Sequence, residues 1–115
     1  MTSNDKRLLL VDLSARLPYN IAIDCRSEDS RFTCYLTTDM LREIQNNRCY
    51  WEYKPYLFPL SSMTEEQKKE EYEICKYYLN GYESKLIDFY HKNHLDYRGL
   101  ISMGLANDAT GLNIY

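Results

Sequence analysis

The first apolar run of the chain has the spacing of an amphipathic helix. Its apolar positions recur three and four residues apart, at Leu9, Leu10, Leu13 and Leu17. Ser3 and Asn4 precede the run as candidate N-caps, and Pro18, which cannot continue a helix, follows it. This pattern predicts a helix over residues 4–16 whose apolar stripe packs on the following segment.

The next two segments alternate apolar and polar residues with the period of a β-strand. The apolar positions are Tyr19, Ile21, Ile23 and Cys25 in the first segment and Phe32, Cys34 and Leu36 in the second. The polar residues 26–30 between them are typical of a turn, and aromatic and β-branched residues are frequent in both segments. Residues 19–25 and 31–38 are therefore predicted to form an antiparallel hairpin.

Residues 39–54 give one ambiguous segment and one clear one. In residues 39–47 the apolar positions suit either a short helix or a third strand, and we favour the strand, with a turn at Asn46-Asn47. Residues 48–54 alternate again, with Cys49, Trp51 and Tyr53 on one face. Pro55 lacks a backbone N–H and is predicted to end this strand.

The C-terminal half changes to the period of helices. Thr64 with Gln67, or Ser62 with Glu65, forms a candidate capping box for a helix over residues 64–80, and Asn80-Gly81 is a stop signal. The apolar stripe of that helix is Tyr72, Cys75, Tyr78 and Leu79. A second helix is predicted from residue 82 to about residue 93, and a short third one within residues 96–105. The last residues read as a docked or frayed tail.

These elements predict an α+β fold: an N-terminal helix, a small antiparallel sheet of three or four strands, then two or three C-terminal helices packed on the sheet. We expect one domain over residues 1–115, with the helix and sheet in 1–58, a helical part in 62–106 and a tail in 107–115. The predicted core comprises Leu10, Leu13, Ile21, Ile23, Phe32, Cys34, Leu36, Trp51, Leu57, Cys75, Leu79, Leu86, Phe89 and Leu100.

Composition narrows the class of protein. The 14 basic and 17 acidic side chains nearly balance, which argues against a disordered tail or a polybasic arm. The sequence has no apolar run of the roughly 20 residues that cross a bilayer and no secretory signal, so we expect a cytoplasmic protein. The four cysteines lack the paired spacing of a zinc site, and we expect reduced thiols without a disulfide framework.

Few residues carry the pattern of a catalytic or metal site. His91 and His94 are three residues apart, with Asp88 and Asp96 nearby, but at the end of a helix such histidines are more often surface residues or donors to the last carbonyls. The glycines match no phosphate-binding loop, and no nucleophile motif is present. We therefore predict no catalytic, cofactor-binding or metal-binding residue and no enzyme activity.

Tyrosine is over-represented, with 12 residues against three Phe and one Trp. Tyrosine joins an apolar ring to a polar tip, so the excess suits either the rim of a core or a contact surface for another protein. If the prolines after residue 53 and the turn near residue 97 lie side by side, a contact patch is expected there. Its residues would be Tyr53, Tyr56, His94, Tyr97 and Arg98.

Three blocks of the sequence, DLSARLPYNI, KPYLFPLSSMTEE and HLDYRGLISMGLANDATGLNIY, resemble a family of small uncharacterised cytoplasmic proteins of gut bacteria and of their phages and mobile elements. The blocks are residues 12–21, 54–66 and 94–115. The resemblance implies no activity, cofactor or catalytic residue. It does imply a phage or mobile-element context, in which small proteins often bind a host or defence component.

The sequence thus favours a non-enzymatic protein that binds another protein, with a homo-oligomer also open. The alternative is a small nucleic-acid-binding module, in which exposed rings stack on bases and basic groups hold phosphates. Its test residues are Tyr35, Tyr50 and Lys54. A small enzyme is the third possibility.

Overall fold

The described residues form four α-helices and a mixed sheet of five strands. The computed structural model describes residues 1–46, 50–77 and 82–115. Its helices are α1 (Ser3–Arg16), α2 (Thr38–Gln45), α3 (Glu65–Tyr77) and α4 (Tyr82–Lys92). Its strands are β1 (Ala22–Arg26), β2 (Arg31–Tyr35), β3 (Glu52–Pro59), β4 (Leu95–Asp96) and β5 (Asn107–Asp108). Two short 3-10 turns occur at Leu17–Tyr19 and Leu60–Ser62. The α+β class and the order of helix, sheet and helices are confirmed.

Helix α1 begins at Ser3, one residue before its predicted start at residue 4. The Thr2 hydroxyl accepts a hydrogen bond from the Asp5 amide at 3.0 Å, and the Asp5 carboxylate accepts one from the Thr2 amide at 3.2 Å. This capping box makes Thr2 the N-cap in place of Ser3 or Asn4. The helix ends at Arg16, as predicted, because Pro18 follows in a 3-10 turn.

Strands β1 and β2 form the predicted antiparallel hairpin, with Ile23 opposite Cys34 and Cys25 opposite Phe32. The first strand begins at Ala22, so its predicted start at Tyr19 is wrong. Tyr19 belongs to the 3-10 turn, and Asn20 in the left-handed conformation (φ 54°) redirects the chain into β1.

Helix α2 replaces the strand that was favoured for residues 39–47. The Thr37 hydroxyl accepts a hydrogen bond from the Met40 amide at 3.3 Å and caps the helix, whose Ile44 enters the core. The apolar positions three and four residues apart face α1, so helical spacing outweighed the short apolar run. Part of the predicted turn after this segment lies outside the described residues.

Strand β3 runs through Pro55 to Pro59, so the prediction that Pro55 ends the strand is wrong. Pro55 is opposite Ile23 at the last position that β3 shares with β1, and pairing with β5 begins at Tyr56. A missing N–H at this change of partner interrupts little of the ladder. The predicted start of the strand at residues 48–49 lies outside the described residues.

The sheet is mixed, whereas an antiparallel one was predicted. Its order is β2–β1–β3–β4, with β5 also on β3, and both β4 and β5 run parallel to β3. These two short strands flank residues 97–106, where a third C-terminal helix was expected within residues 96–105 and no α-helix is present. Between them residues 100–104 make a single turn. Gly104 ends this turn in a left-handed conformation (φ +76°), and its amide donates a hydrogen bond to the Ile101 carbonyl.

Helices α3 and α4 form an antiparallel hairpin. Thr64 and Gln67 exchange the two hydrogen bonds of a capping box, at 3.0 and 3.1 Å, which selects this pair over Ser62 and Glu65. The predicted apolar stripe of α3 is wrong where it can be checked, because Tyr72 and Cys75 are exposed. The other two stripe residues, Tyr78 and Leu79, and the predicted stop at Asn80-Gly81 lie outside the described residues.

The main core lies between the sheet and helices α1 and α2. Of the predicted core residues, Leu13, Ile21, Ile23, Leu36, Leu57, Phe89 and Leu100 are buried, and Leu10, Cys34, Trp51 and Leu86 are partly buried. Phe32 and Cys75 are exposed, which corrects their assignment to the core, and Leu79 is outside the described residues. Phe32 is exposed because β2 is the outer strand of the sheet.

The C-terminal residues dock on the opposite face of the sheet. Tyr56, Ala22 and Ala109 form a second, smaller buried cluster there. The Tyr115 hydroxyl accepts a hydrogen bond from the Ala22 amide at 2.9 Å and donates one to the Tyr56 carbonyl at 2.7 Å. The tail is therefore docked. No helix among the described residues has the length and apolar character needed to cross a membrane.

Candidate functional site

The predicted contact patch is divided between two faces of the sheet. Pairing of Phe58 with Leu95 places the proline-rich strand and the turn near residue 97 side by side, as the patch required. Tyr53, however, faces α2 and donates a hydrogen bond from its hydroxyl to the Glu43 carboxylate. Tyr56 is only 6% exposed, so its ring is not available to a partner, which corrects its place in the patch.

The other three predicted residues, His94, Tyr97 and Arg98, surround a buried ion pair. Asp12 and Arg16, one turn apart on α1, are both 0% exposed, and the Arg16 Nε donates to the Asp12 carboxylate at 2.8 Å. The Arg98 Nε donates to the other carboxylate oxygen at 3.1 Å. We call Asp12, Arg16, Tyr97 and Arg98 the charge cluster.

Aromatic and backbone groups complete the charge cluster. The guanidinium carbons of Arg16 and Arg98 lie 5.4 and 5.1 Å from the centre of the Tyr97 ring, within range of cation–π attraction. The Arg16 Nη2 donates to the Leu95 carbonyl at 2.7 Å, and the Tyr97 hydroxyl lies 2.8 Å from the His91 Nε2. These contacts tie α1 to β4 and α4.

The two histidines beside the cluster are held in the neutral form. Burial is the main cause that lowers the pKa of both, and the positive charge of Arg16 adds to it; for His94 the pKa falls to about 4. His94 has a left-handed backbone (φ 56°), and its ring stacks on Tyr115 with the ring centres 3.8 Å apart.

The histidines do not form a shared metal site with the carboxylates near them. His91 lies on α4 and contacts Tyr97, whereas His94 follows the helix and contacts Tyr115. Asp96 uses its carboxylate oxygens to accept the Leu100 and Ile101 amides. In the ranges that the structure describes, no group of three or more His, Cys, Asp or Glu side chains is arranged around a possible metal ion.

The charge cluster is suited to holding the fold together and not to contacting a ligand. Its two central side chains, Asp12 and Arg16, have no exposed surface. Among the described residues, the Arg16 Nη1 and the His94 Nδ1 are buried without a hydrogen-bond partner. Two guanidinium groups against one carboxylate leave an excess positive charge, which the Tyr97 ring and the Leu95 carbonyl offset.

Strand β2 forms one outer edge of the sheet, and four of its five residues are exposed. The Leu36 amide donates to the Ile21 carbonyl, and the Ser27 amide donates to the Ser30 carbonyl, so even-numbered residues of β2 direct their backbone groups toward β1. The amides and carbonyls of Arg31, Thr33 and Tyr35 consequently point away from the sheet. We call this row of backbone groups the open edge.

Exposed aromatic rings lie next to the open edge. Phe32 is 47% exposed and meets Trp51 edge to face, with the ring centres 5.0 Å apart. Tyr50, 67% exposed, also meets Trp51 edge to face, with the ring centres 5.5 Å apart. Tyr35 is 62% exposed at the far end of β2. Tyr35 points to the opposite face of β2 from Phe32, so we call Phe32, Tyr50 and Trp51 alone the aromatic patch.

A groove of about 580 Å³ continues from the aromatic patch on the same face of the sheet. Trp51 belongs to both, and Leu9, Ile44 and Leu105 supply apolar walls, while Asp5 and Glu52 supply acidic groups. A cavity of this volume is in the range that accommodates a side chain or a small ligand. The patch and groove together form a continuous, partly apolar surface.

One feature of the sequence points to β2 as the outer strand. Residues 21–23 are apolar without interruption, which is typical of a strand covered on both faces and therefore central. If β1 is central, its hairpin partner β2 can be the outer strand, and alternate residues of β2 need not be buried. Alternation alone predicts one buried face for residues 31–38, and Phe32 falls on that face, which explains why the pattern places Phe32 in the core.

Comparison of the chain with family models, with curated proteins and with solved structures gave no match.

Proposed function

We propose that this protein is a non-enzymatic binding protein of the cytoplasm that takes an extended segment of a partner protein along the open edge. The observation that carries the proposal is the outward row of backbone amides and carbonyls at Arg31, Thr33 and Tyr35 on an outer strand. An added strand gains main-chain hydrogen bonds from such an edge and specificity from the side chains beside it.

Apart from the charge of Arg31, the open edge lacks the features that usually prevent pairing with another chain. Natural sheets guard their outer strands with proline, lysine, bulges or a covering loop. Residues 31–35 contain no proline or lysine, and they pair with β1 in unbroken register over all five positions. Phe32 and Tyr35 instead present aromatic rings on the two faces of the strand, where an added strand would cover them.

The charges near the aromatic patch favour a protein partner over a nucleic acid. Arg31 donates two hydrogen bonds to Asp24, at 3.0 and 3.1 Å, and Lys54 lies 3.4 Å from Glu52. These basic groups are already paired with carboxylates and would have to leave them to neutralise phosphates. The resemblance to phage and mobile-element proteins suggests a host or defence protein as the partner.

The experiment uses a phage-displayed library of random peptides, about twelve residues long, selected on the wild-type protein. Selected peptides should bind Thr33→Ala, which keeps the outward amide, and should lose at least tenfold in affinity for Thr33→Pro, which removes it. Because the Thr33 amide points outward, the proline leaves the hydrogen bonds to β1 in place. Peptides that bind both variants equally would refute strand addition.

Amide hydrogen exchange gives an independent test of the open edge before any ligand is known. We expect the Thr33 and Tyr35 amides to exchange fast in the isolated protein, and the Phe32 and Cys34 amides to be protected by β1. A selected peptide should slow the exchange of the Thr33 and Tyr35 amides. Equal protection of all four amides without peptide would show that the edge is already covered.

A nucleic-acid-binding module is the second candidate, because Tyr35 and Tyr50 expose rings that can stack on bases. Fluorescence anisotropy with a single-stranded oligonucleotide, measured across a salt series, separates the two. Binding that weakens steeply as salt rises and is lost in Tyr35→Ala and Lys54→Ala would favour the nucleic acid. Absence of such binding, together with peptide binding at the edge, would favour the protein partner.

A further inference from the structure

Cys25 and Cys34 lie side by side on one face of the β1–β2 hairpin. The register pairs Ile23 with Cys34 and Cys25 with Phe32, so the two thiols occupy diagonal positions on adjacent strands. Both are reduced in the structure, and their Sγ atoms are 2.8 Å apart. We propose that they form a site of reversible oxidation, where a small-molecule disulfide such as oxidised glutathione converts the two thiols into a disulfide.

The strand geometry places the sulfur atoms close to bonding distance. A disulfide bond is about 2.05 Å long, so the atoms need to approach by less than about 1 Å. Rotation of the two side chains about their Cα–Cβ bonds supplies this movement, because both Cβ atoms already point to the same face. The backbone pairing of β1 with β2 can therefore be kept in both redox states.

The two thiols differ in exposure, which sets the order of the reaction. Cys25 is fully buried, while Cys34 is partly exposed on the outer strand. Because Cys34 is the more exposed of the two residues, a small disulfide in solution meets its thiol before that of Cys25. Cys34 is therefore the attacking group, and Cys25 is the resolving one.

The reaction has two exchange steps. Cys34 loses its proton to solvent, and its thiolate attacks one sulfur of the small disulfide, forming a mixed disulfide and releasing one small thiolate, which takes up a proton. Cys25 then attacks the Cys34 sulfur, giving its proton to the second departing thiolate. Overall, two protein thiols are oxidised to one disulfide, and one small disulfide is reduced to two thiols.

The Cys25–Cys34 disulfide would link β2 covalently to β1. Cys25 and Cys34 enclose a loop of nine chain steps, and closing a loop of this size is expected to raise Tm by roughly 5–10 °C. This proposal concerns the side chains of Cys25 and Cys34, not the outward backbone groups of β2. It does not depend on what binds along the open edge.

The test uses the full chain carrying Cys49→Ser and Cys75→Ser, so that Cys25 and Cys34 are the remaining thiols. The protein is incubated with oxidised glutathione, blocked with an alkylating agent and digested with trypsin. Cleavage after Arg26 and Arg31 separates the two cysteines into peptides 17–26 and 32–42. We expect most of the protein to yield these peptides joined by a disulfide, from a monomer, and to lose the link on reduction.

Three outcomes would overturn the proposal. In the first, glutathione stays bound to Cys34, and Cys25 can still be alkylated after the protein is denatured. In the second, the disulfide joins two different chains. In the third, neither thiol is oxidised. The wild-type chain, mapped in the same way, serves if the double variant does not fold, and its exposed Cys75 reports that the oxidant was active. Cys34→Ser in the same background should abolish both the link and the rise in Tm.

Discussion

Replacing Asp12 by alanine should destabilise the fold strongly, because Asp12 is the carboxylate that joins both arginines of the charge cluster. Arg16 is fully buried and donates to one Asp12 oxygen at 2.8 Å, and Arg98 donates to the other at 3.1 Å. The alanine variant would leave the Arg16 guanidinium buried without a counter-charge. Mutations of this kind are among the most damaging in folded proteins.

The magnitude follows from the two hydrogen bonds and the burial. A hydrogen bond to a charged group contributes about 1.5–3 kcal/mol, and removing one partner of a buried ion pair costs about 3–5 kcal/mol. Because Arg98 keeps 28% of its side chain exposed, it can turn to solvent and adds little to the loss. We expect Asp12→Ala to lower the free energy of unfolding by about 4 kcal/mol, out of a total of about 5–15 kcal/mol for a typical domain.

Urea unfolding measures this loss, with the single tryptophan, Trp51, as fluorescent probe and circular dichroism as a second one. With a urea dependence of about 1.5–2 kcal/mol per M, the midpoint should fall by about 2 M. Asp39→Ala is the matched control, since Asp39 pairs with Arg42 at 3.3 Å but is 78% exposed. That change should cost no more than about 0.5 kcal/mol.

A double variant separates the unpaired charge from the loss of the aspartate as such. In Asp12→Leu/Arg16→Met both charged groups are replaced by apolar ones, and buried ion pairs replaced in this way often lose little stability. We expect it to recover most of what Asp12→Ala loses. The reasoning is refuted if Asp12→Ala costs less than about 1 kcal/mol, or if the double variant is as unstable as the single one.

Three further predictions concern the histidine, the tail and a helix cap. The folded pKa of His94, about 4, is below its usual value near 6.5, so the unfolded chain binds more protons than the folded chain between these two pH values. The free energy of unfolding should therefore fall from pH 7 to pH 5. In urea unfolding, His94→Asn should show a smaller fall of the midpoint over the same pH range. Tyr115→Phe removes the acceptor of the Ala22 amide and should lower stability by about 1–2 kcal/mol in the same assay. Thr64→Ala breaks the capping box with Gln67 and should cost about 1 kcal/mol, whereas Thr64→Ser should cost little.

The candidate site was only partly accessible from the sequence. Tyr35 and Tyr50 were singled out as exposed rings, and both are exposed, but they were assigned to nucleic-acid binding as the alternative. Phe32 was assigned to the core because alternation alone does not say which strand of a hairpin lies outside. His94, Tyr97 and Arg98 are the predicted contact residues, but Tyr97 packs against the buried Arg16 and Arg98 donates to the buried Asp12; both partners belong to α1, far away in the chain.

The elements that the sequence determined by itself are those set by neighbouring residues. The extent of α1, the β1–β2 hairpin and the position of α4 follow from spacings of two to four residues, and the same spacings limit the cap of α3 to two candidate boxes. These patterns act locally, since a helix or a hairpin satisfies its own backbone hydrogen bonds within a short segment. They therefore also gave the α+β class.

Only the tertiary structure decided how these elements meet. The Arg16 bond to the Leu95 carbonyl spans 79 residues, and the Arg98 bond to Asp12 spans 86. The parallel pairing of β4 and β5 with β3, and the outer position of β2, likewise join segments whose periodicity carries no record of their partners. Pairing across such distances is chosen by burial and hydrogen bonding in the whole fold, and it is this choice that leaves the open edge exposed.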